Sequence, residues 1–192
     1  MNLALYHGQN TSAWHLQTSD DIRLYAEAGA IPILPVASFC RRGDDEPLDA
    51  EESLLGTLLK NLQGKDYLIL PPLRYCPRQD PRQRFTTSSL TAWGLLSETL
   101  HSIHTSGFQK CILFHGHPLL ADWLDCGLRD HRLETGMGLY RMSLESMGVD
   151  IEDTSTRAVF TNEHPLYQTA FKTLTHLLEQ IAIQPLPPAL KS

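Results

Sequence analysis

The chain has 192 residues and a formal net charge of -6, with 42% of its residues hydrophobic and 20% charged. This length is sufficient for one domain with a complete core, which we predict over residues 1–183, followed by a proline-rich tail at 184–192. The acidic balance disfavours a nucleic-acid partner, because phosphate binding requires clustered lysine and arginine. No apolar stretch approaches the roughly 20 residues that span a bilayer, so we expect no membrane partner.

The cysteines predict a reducing environment. The four of them, Cys40, Cys76, Cys111 and Cys126, contain no Cys-x-x-Cys pair. The N-terminus also lacks a basic segment followed by an apolar run, which is the pattern of a secretory signal. We therefore expect a reduced, cytoplasmic protein.

Helical and strand patterns alternate along the chain, which is typical of a largely parallel sheet between helical layers. The predicted elements of the first half are a helix over 20–28, a strand over 31–36, a helix over 51–62 and a strand over 67–70. Those of the second half are a long helix from Ser88 or Ser89, a strand over 111–114, helices over 119–128 and 134–147, a short strand over 158–160 and a helix over 163–183. The fold class is thus predicted to be α/β, a three-layer α/β/α sandwich with a mostly parallel central sheet. Because Pro32 and Pro35 each remove a ladder donor, we expect their strand to be short or near an edge.

The run from Cys111 to Phe114 predicts a strand buried on both faces, and His115, Gly116 and His117 follow at its carboxyl end. Ligands of open α/β sheets bind in the crevice at this end. Histidine there is suited to bind a metal or carry a proton, and glycine permits a sharp turn or a close approach. An alternative is that the histidines only form hydrogen bonds with loop carbonyls, and the motif alone leaves both possibilities open.

Two other groups of residues are interpreted as structural. His101 and His104 have a spacing on their helix that is compatible with a metal, but without a third nearby ligand we assign them to surface or core filling. The basic stretch from Arg74 to Arg84 fits an anionic ligand or an acidic partner, and we favour exposed loop charges.

Three stretches, in this order, resemble the creatininase (creatinine amidohydrolase) family. They are Ile33-Leu-Pro-Val-Ala-Ser38 with Gly43 and Pro47-Leu48, Leu70-Pro-Pro-Leu-Arg-Tyr75 with Phe85 and Ser88, and Gly107-Phe108 through Gly116-His117. The resemblance implies a creatininase-like α/β/α fold over residues 1–183. It also implies the family activity, hydrolysis of amides by two divalent metals bridged by a carboxylate and a water.

Most of the ligand positions implied by the resemblance have changed. Cys40 stands where the family has its first glutamate, Arg42 where it has the loop histidine, and Glu51 where it has the bridging aspartate. Of these positions, only His117 keeps the family residue. Arg42 therefore places a fixed positive charge where the family binds a metal.

The segment after His117 is also different from the family pattern. Glu134 resembles the start of the family's Glu-Thr-Ser helix, but Arg132 falls where the last glutamate ligand stands, so Glu134 is a shifted substitute at best. The family has several tens of residues between its histidine loop and this helix, whereas here a single predicted helix separates His117 from Glu134. The part of the chain that contacts substrate in the family is thus expected to be missing.

Two functions remain open, and we favour the first. In the first, the protein has lost the dinuclear centre and amide hydrolysis, needs no cofactor, and acts as a non-catalytic binding or scaffold subunit, with Arg42 and Glu134 as vestigial positions. In the second, Cys40, Glu51 and His117 hold one Zn or Mn ion, and His115 is the candidate catalytic base or fourth ligand of an amidohydrolase. A third possibility is that the resemblance reports the fold alone.

The partner that follows from this interpretation is an unidentified small molecule or protein. The resemblance further implies a homo-oligomer, since family members assemble from identical chains.

Overall fold

The computed structural model describes residues 18–40, 47–62, 66–77, 81–153 and 160–187, without the side chain of Cys40. The strands are β1 (Ile31–Val36), β2 (Phe39–Cys40), β3 (Tyr67–Ile69), β4 (Gln83–Arg84), β5 (Lys110–His115) and β6 (Gly138–Ser143). Within these residues, four of the strands form a parallel sheet in the order β3-β1-β5-β6, and β2 pairs antiparallel with β4.

Helices cover both faces of the parallel sheet. They are α1 (Ser19–Glu27), α2 (Ala50–Leu59), α3 (Ser89–Thr105), α4 (Leu120–Thr135) and α5 (Pro165–Ile183). Leucines of α2 and α5 share one apolar cluster with the sheet, and those of α3 and α4 share a second cluster together with Tyr25 of α1. The predicted three-layer α/β/α arrangement is confirmed.

The position of β1 corrects the expectation that its prolines place it near an edge. It pairs with β3 on one side and with β5 on the other. The N–H of Ile31 and the C=O of Ile33 face β3. Backbone polar groups point to alternate sides along a strand, so the nitrogen of Pro32 faces β5 and the nitrogen of Pro35 faces β3. Pro32 precedes the paired stretch with β5, and Pro35 lies beyond the paired stretch with β3. Neither proline removes a ladder bond, so a central strand accommodates both.

The predicted helix over 134–147 is wrong. Glu134 lies in the last turn of α4, which ends at Gly136 with a left-handed φ of 71°. The chain then forms β6 and a 3-10 turn at Glu145–Met147. Leu139 and Met142 have helix-like spacing, but a strand buried on both faces gives the same pattern. Most of the predicted strand over 158–160 lies outside the described residues.

Lys110, at the start of β5, binds the C-terminal end of α5. Its Nζ donates to the carbonyl oxygens of Ile181 and Ala182, both at 2.8 Å, and of Gln184 at 2.6 Å. These carbonyls lie in and just beyond the last turn of the helix, where helical partners are missing. Burial lowers the pKa of Lys110. Among the described helices, none is both long and apolar enough to cross a bilayer.

Candidate functional site at the ends of β1 and β5

The site predicted from the sequence lies at a reversal in the sheet. β1 and β5 are neighbours, and the chain leaves β1 towards α2 on one face and β5 towards α4 on the other. A crevice between two such carboxyl ends is the usual ligand position of an open α/β sheet. The structure brings Glu51, His115 and His117 together there.

The Glu51 carboxylate joins the two loops of this crevice. The side chain is only 2% exposed, and its Oε1 accepts the backbone N–H groups of Gly116 at 3.0 Å and His117 at 2.8 Å. Its Oε2 accepts the N–H of Ser38 at 3.1 Å and the hydroxyl of Ser38 at 2.7 Å. Burying a carboxylate is costly unless it receives hydrogen bonds of this kind. Both oxygens therefore serve to hold the loop after β1 against the loop after β5.

Gly116 is required by this carboxylate. A Cβ atom at position 116 would lie 2.4 Å from Cγ and 2.9 Å from Cδ of Glu51, far inside contact distance. The glycine between the two histidines thus permits a close approach of the backbone to Glu51.

The ring of His117 is engaged by the start of the following helix. His117 is 1% exposed, and its Nδ1 accepts the N–H of Leu119 at 3.2 Å. An Nδ1 that accepts has no proton, so the neutral ring has its proton on Nε2. A histidine that binds a metal through Nε2 needs the opposite tautomer, with Nδ1–H donated to a nearby acceptor.

The same tripeptide occurs with the same contact at the start of α5. In His164-Pro165-Leu166, the Nδ1 of His164 accepts the N–H of Leu166 at 3.2 Å, and His164 is the N-cap residue. Proline at the first helical position matches the preference of helix starts. The arrangement around His117 is therefore also found away from the crevice, as an ordinary means of starting a helix.

His115 is fully buried and uses both ring nitrogens. Its Nδ1 lies 3.0 Å from the carbonyl oxygen of His117 and donates to it, while its Nε2 accepts from Nη1 of Arg141 at 3.2 Å. Nε of Arg141 pairs with Asp125 at 2.7 Å. Burial, more than the opposing bond to the His117 carbonyl, lowers the pKa of His115 to about 4. The ring is neutral near pH 7, with neither nitrogen free to act as a base.

Cys76 is a neighbour of this site that the sequence did not indicate. Its buried Sγ donates to the carbonyl oxygen of Ala37 at 3.4 Å. Burial, and then the negative charge of Glu51, raise the pKa of this thiol. Cys76 is therefore a protonated thiol, which is neither a nucleophile nor a good metal ligand.

A cavity of about 340 Å³ opens beside the loop that contains Gly116. Gly116 and Pro118 form one wall, and Glu145 with the segment from Gly148 to Glu152 forms the other. The second wall contains three carboxylates, those of Glu145, Asp150 and Glu152. The carboxylate of Glu152 pairs with Arg82 at 3.1 Å. The crevice is thus open to a small ligand, next to rings and a carboxylate that are already engaged.

The other predicted residues do not complete a ligand set. The backbone of Cys40 pairs with Gln83, its side chain is not described, and Arg42 lies outside the described residues. Glu134 is exposed at the C-terminal end of α4, whereas His117 precedes the N-terminal end. At about 1.5 Å per helical residue, the two are separated by about 20 Å of helix. Across the described part of the chain, no group of three or more His, Cys, Asp or Glu residues is arranged to hold a metal.

No protein-family model and no curated protein matches this chain. Solved creatininase structures match it by fold. A creatininase described as the Mn form aligns with a TM-score of 0.57 and 14% identity over 74% of this chain and 62% of its own. A mutant creatininase of the Zn-Zn type aligns with a TM-score of 0.56 and 14% identity over the same shares. A creatinine amidohydrolase aligns with a TM-score of 0.56 and 15% identity over 82% of this chain and 65% of its own.

The matched region thus spans less than two thirds of each of these enzymes. The order of motifs in the sequence, the parallel sheet and these alignments agree. This chain has a creatininase-like fold, in a divergent form.

Proposed function

We propose that this chain is a non-catalytic binding or scaffold protein built on the creatininase fold, without metal-dependent amide hydrolysis. The observation that supports this most directly is the position of the Glu51 carboxylate. By resemblance, Glu51 stands where the family has a metal-bridging aspartate, and here both oxygens accept hydrogen bonds from the loops. A residue that bridges metals in the family has become a residue that connects two parts of the backbone.

The two histidines support the same proposal. Metal binding by Nε2 of His117 requires moving the ring proton and giving up the contact with Leu119. His115 would have to leave both Arg141 and the carbonyl oxygen of His117. The donors in this arrangement do not fit a bridged pair of metals, so no catalytic step is assigned to a metal here.

The alternative, a mononuclear zinc amidohydrolase, is favoured by one feature of the site. Glu51 and His117 are in direct contact, as two members of a ligand set would be, although the contact is between carboxylate and backbone amide. Cys40 would be the third ligand, with a thiolate sulfur.

Metal analysis separates the two functions. The protein is purified without chelator, and its zinc and manganese are measured by mass spectrometry, together with hydrolysis of creatinine and other small cyclic amides. We expect less than about a tenth of an equivalent of metal, no hydrolysis, and a melting temperature unchanged by chelator or by added metal.

The matched variants are His117→Ala and His164→Ala, since both histidines have the same helix-start contact. Stoichiometric metal that is lost in His117→Ala and kept in His164→Ala would support the zinc enzyme and contradict our proposal. Hydrolysis that survives chelator would contradict both.

The cavity beside Gly116 gives the proposed binding function a location. Its size is suitable for a small molecule, and two of its lining residues, Gly116 and Pro118, flank the buried His117. A homo-oligomer in the cytoplasm is part of the same proposal, and light scattering of the purified protein tests the oligomer directly.

A further inference from the structure

Helices α3 and α4 pack tightly at the end nearest their N-termini. Trp93 and Trp123 meet edge to face, with ring centroids 6.4 Å apart. Gly127 lets α4 approach the Trp93 ring, because a Cβ there would lie 2.0 Å from a ring carbon. This end of the seam is closed by aromatic contact and has no room for movement.

The opposite end of the same seam is lined by histidines. Both helices connect parallel strands, so they run in the same direction. His104 follows Trp93, and Glu134 follows Trp123, by the same helical length of about 16 Å. His101 and His104 of α3 are therefore level with His131 and Glu134 of α4, near the C-terminal ends of the two helices.

Two ring nitrogens in this region are buried without a hydrogen-bond partner. His131 is 4% exposed, and its Nε2 has no partner among the described residues. Nδ1 of His104 is also buried and has no hydrogen-bond partner among the described residues. Buried nitrogens without partners are uncommon in folded proteins and call for an explanation.

The groups that face His131 come from every element packed against it. Burial is the largest influence and lowers the pKa of His131. Glu134 of the same helix raises this pKa, and His104 and His101 of α3 lower it. On the sheet side, Leu139 of β6 belongs to the apolar cluster beneath α4. A proton on His131 thus meets a buried, largely apolar surrounding that includes two other imidazoles, and the one carboxylate is exposed.

We propose that His131, with His104 of the neighbouring helix, makes the C-terminal half of the α3–α4 seam a proton-driven latch. At neutral pH His131 is neutral, because burial lowers its pKa, and the seam is closed. When the pH falls below about 6.5, the open form binds protons more readily than the closed form, because the open ring reaches water. The last turns of the two helices then separate, while the Trp93–Trp123 contact and the sheet stay in place.

Hydrogen exchange measured between pH 7.5 and 5.0, corrected for the intrinsic rate, tests the latch. We expect protection in the last turns of α3 and α4 to fall several-fold, because the open form gains a proton on His131 that the closed form disfavours. Protection in α2 and α5 should change less than about twofold. The comparison is made in the His115→Asn background, because the folded protein lowers the pKa of His115 to about 4 and its protonation would otherwise destabilise all helices as the pH falls below about 6.5.

The decisive variants are His131→Leu and His104→Leu, with His176→Gln as the control on the exposed side of α5. In His131→Leu, the loss of protection at acidic pH should be reduced several-fold. His104→Leu should reduce it less, because His131 still takes up the proton, and the control should behave as the parent protein. If His131→Leu does not fold, His131→Gln removes the titration with a smaller change in shape. Equal loss of protection in all helices, no loss at all, or an unchanged loss in the His131 variant would each overturn the latch.

Discussion

The two His-Pro-Leu segments of this protein have one local structure in two surroundings. In both, the histidine Nδ1 accepts the N–H of the leucine two residues later, at 3.2 Å. His117 is buried in the crevice of the sheet, and its backbone N–H donates to the carboxylate of Glu51. His164 is partly exposed at the start of α5.

The comparison separates what a histidine does locally from where it lies in the fold. His117 occupies a position where sheets of this class bind ligands, and the resemblance identified it as an inherited metal ligand. Its ring nevertheless has the same contact as His164, at a helix start with no such inheritance. A position at the end of a parallel strand is therefore weak support for metal binding until the tautomer of the ring is known.

Replacing the residue before each histidine should give the largest difference between the two segments. Gly116→Ala forces a Cβ to within 2.4 Å of Glu51 Cγ, so the carboxylate must leave its buried partners. We expect a loss of about 3–5 kcal/mol in the free energy of unfolding, the range for leaving a buried charge without its partners. Urea denaturation provides the measurement.

The matched change at the second segment is Glu163→Ala, at an exposed residue, with an expected effect within about 0.5 kcal/mol. Equal losses for the two variants would mean that Glu51 does not constrain the first segment.

The second prediction uses the residue two positions before each histidine, which is His115 in the crevice and Asn162 before α5. The folded protein holds the pKa of His115 near 4, below its ordinary value of about 6.5. The stabilising effect of keeping this ring neutral is complete above pH 6.5 and is lost as the pH falls towards 4. By linkage the loss amounts to about 3 kcal/mol.

His115→Asn gives the crevice the residue found before the second segment and removes this titration. Chemical denaturation at pH 7 and at pH 4.5 should show a smaller acid effect in the variant than in the unmodified protein. An acid effect of the same size in both would show that other groups cause it.

The third prediction compares the histidines directly. His117→Ala removes a helix-start contact and leaves a buried space, and we expect a loss of about 2–3 kcal/mol. His164→Ala removes the same contact at a partly exposed position, for an expected loss of about 1 kcal/mol. Thermal denaturation followed by circular dichroism measures both.

Asparagine at either position retains an acceptor for the N–H two residues later, so His164→Asn should recover most of the stability. His117→Asn should recover less, because the smaller side chain still leaves a space.

The smallest expected effect is at the opposite end of α5. Lys110→Met removes the three bonds from Nζ to the last carbonyls of this helix. We expect a loss of about 1 kcal/mol, discounted because Lys110 is partly exposed to solvent. Lys172→Met, on the exposed surface of α5, is the control and should change the free energy of unfolding by less than about 0.5 kcal/mol.

Much of the fold was predictable because alternating patterns constrain topology. The apolar run before His115 predicted β5, and the family resemblance grouped Glu51 with His117 as candidate ligands. The helix over 134–147 failed because the spacing of Leu139 and Met142 fits a buried strand equally well. The hydrogen bonds of Glu51 and the ring proton of His117 depend on atomic contacts between distant segments, and residue types alone do not specify such contacts.

The Glu51 carboxylate also has a consequence for the rates of folding and unfolding. Its bonds to Gly116 and His117 join residues 65 and 66 positions apart in the chain. Bonds across such separations form only after the intervening strands and helices have docked, so they are expected to be absent from the folding transition state. Glu51→Gln should therefore accelerate unfolding in stopped-flow experiments and leave the folding rate nearly unchanged. By this reasoning, one buried carboxylate between two loops determines how long the folded protein lasts.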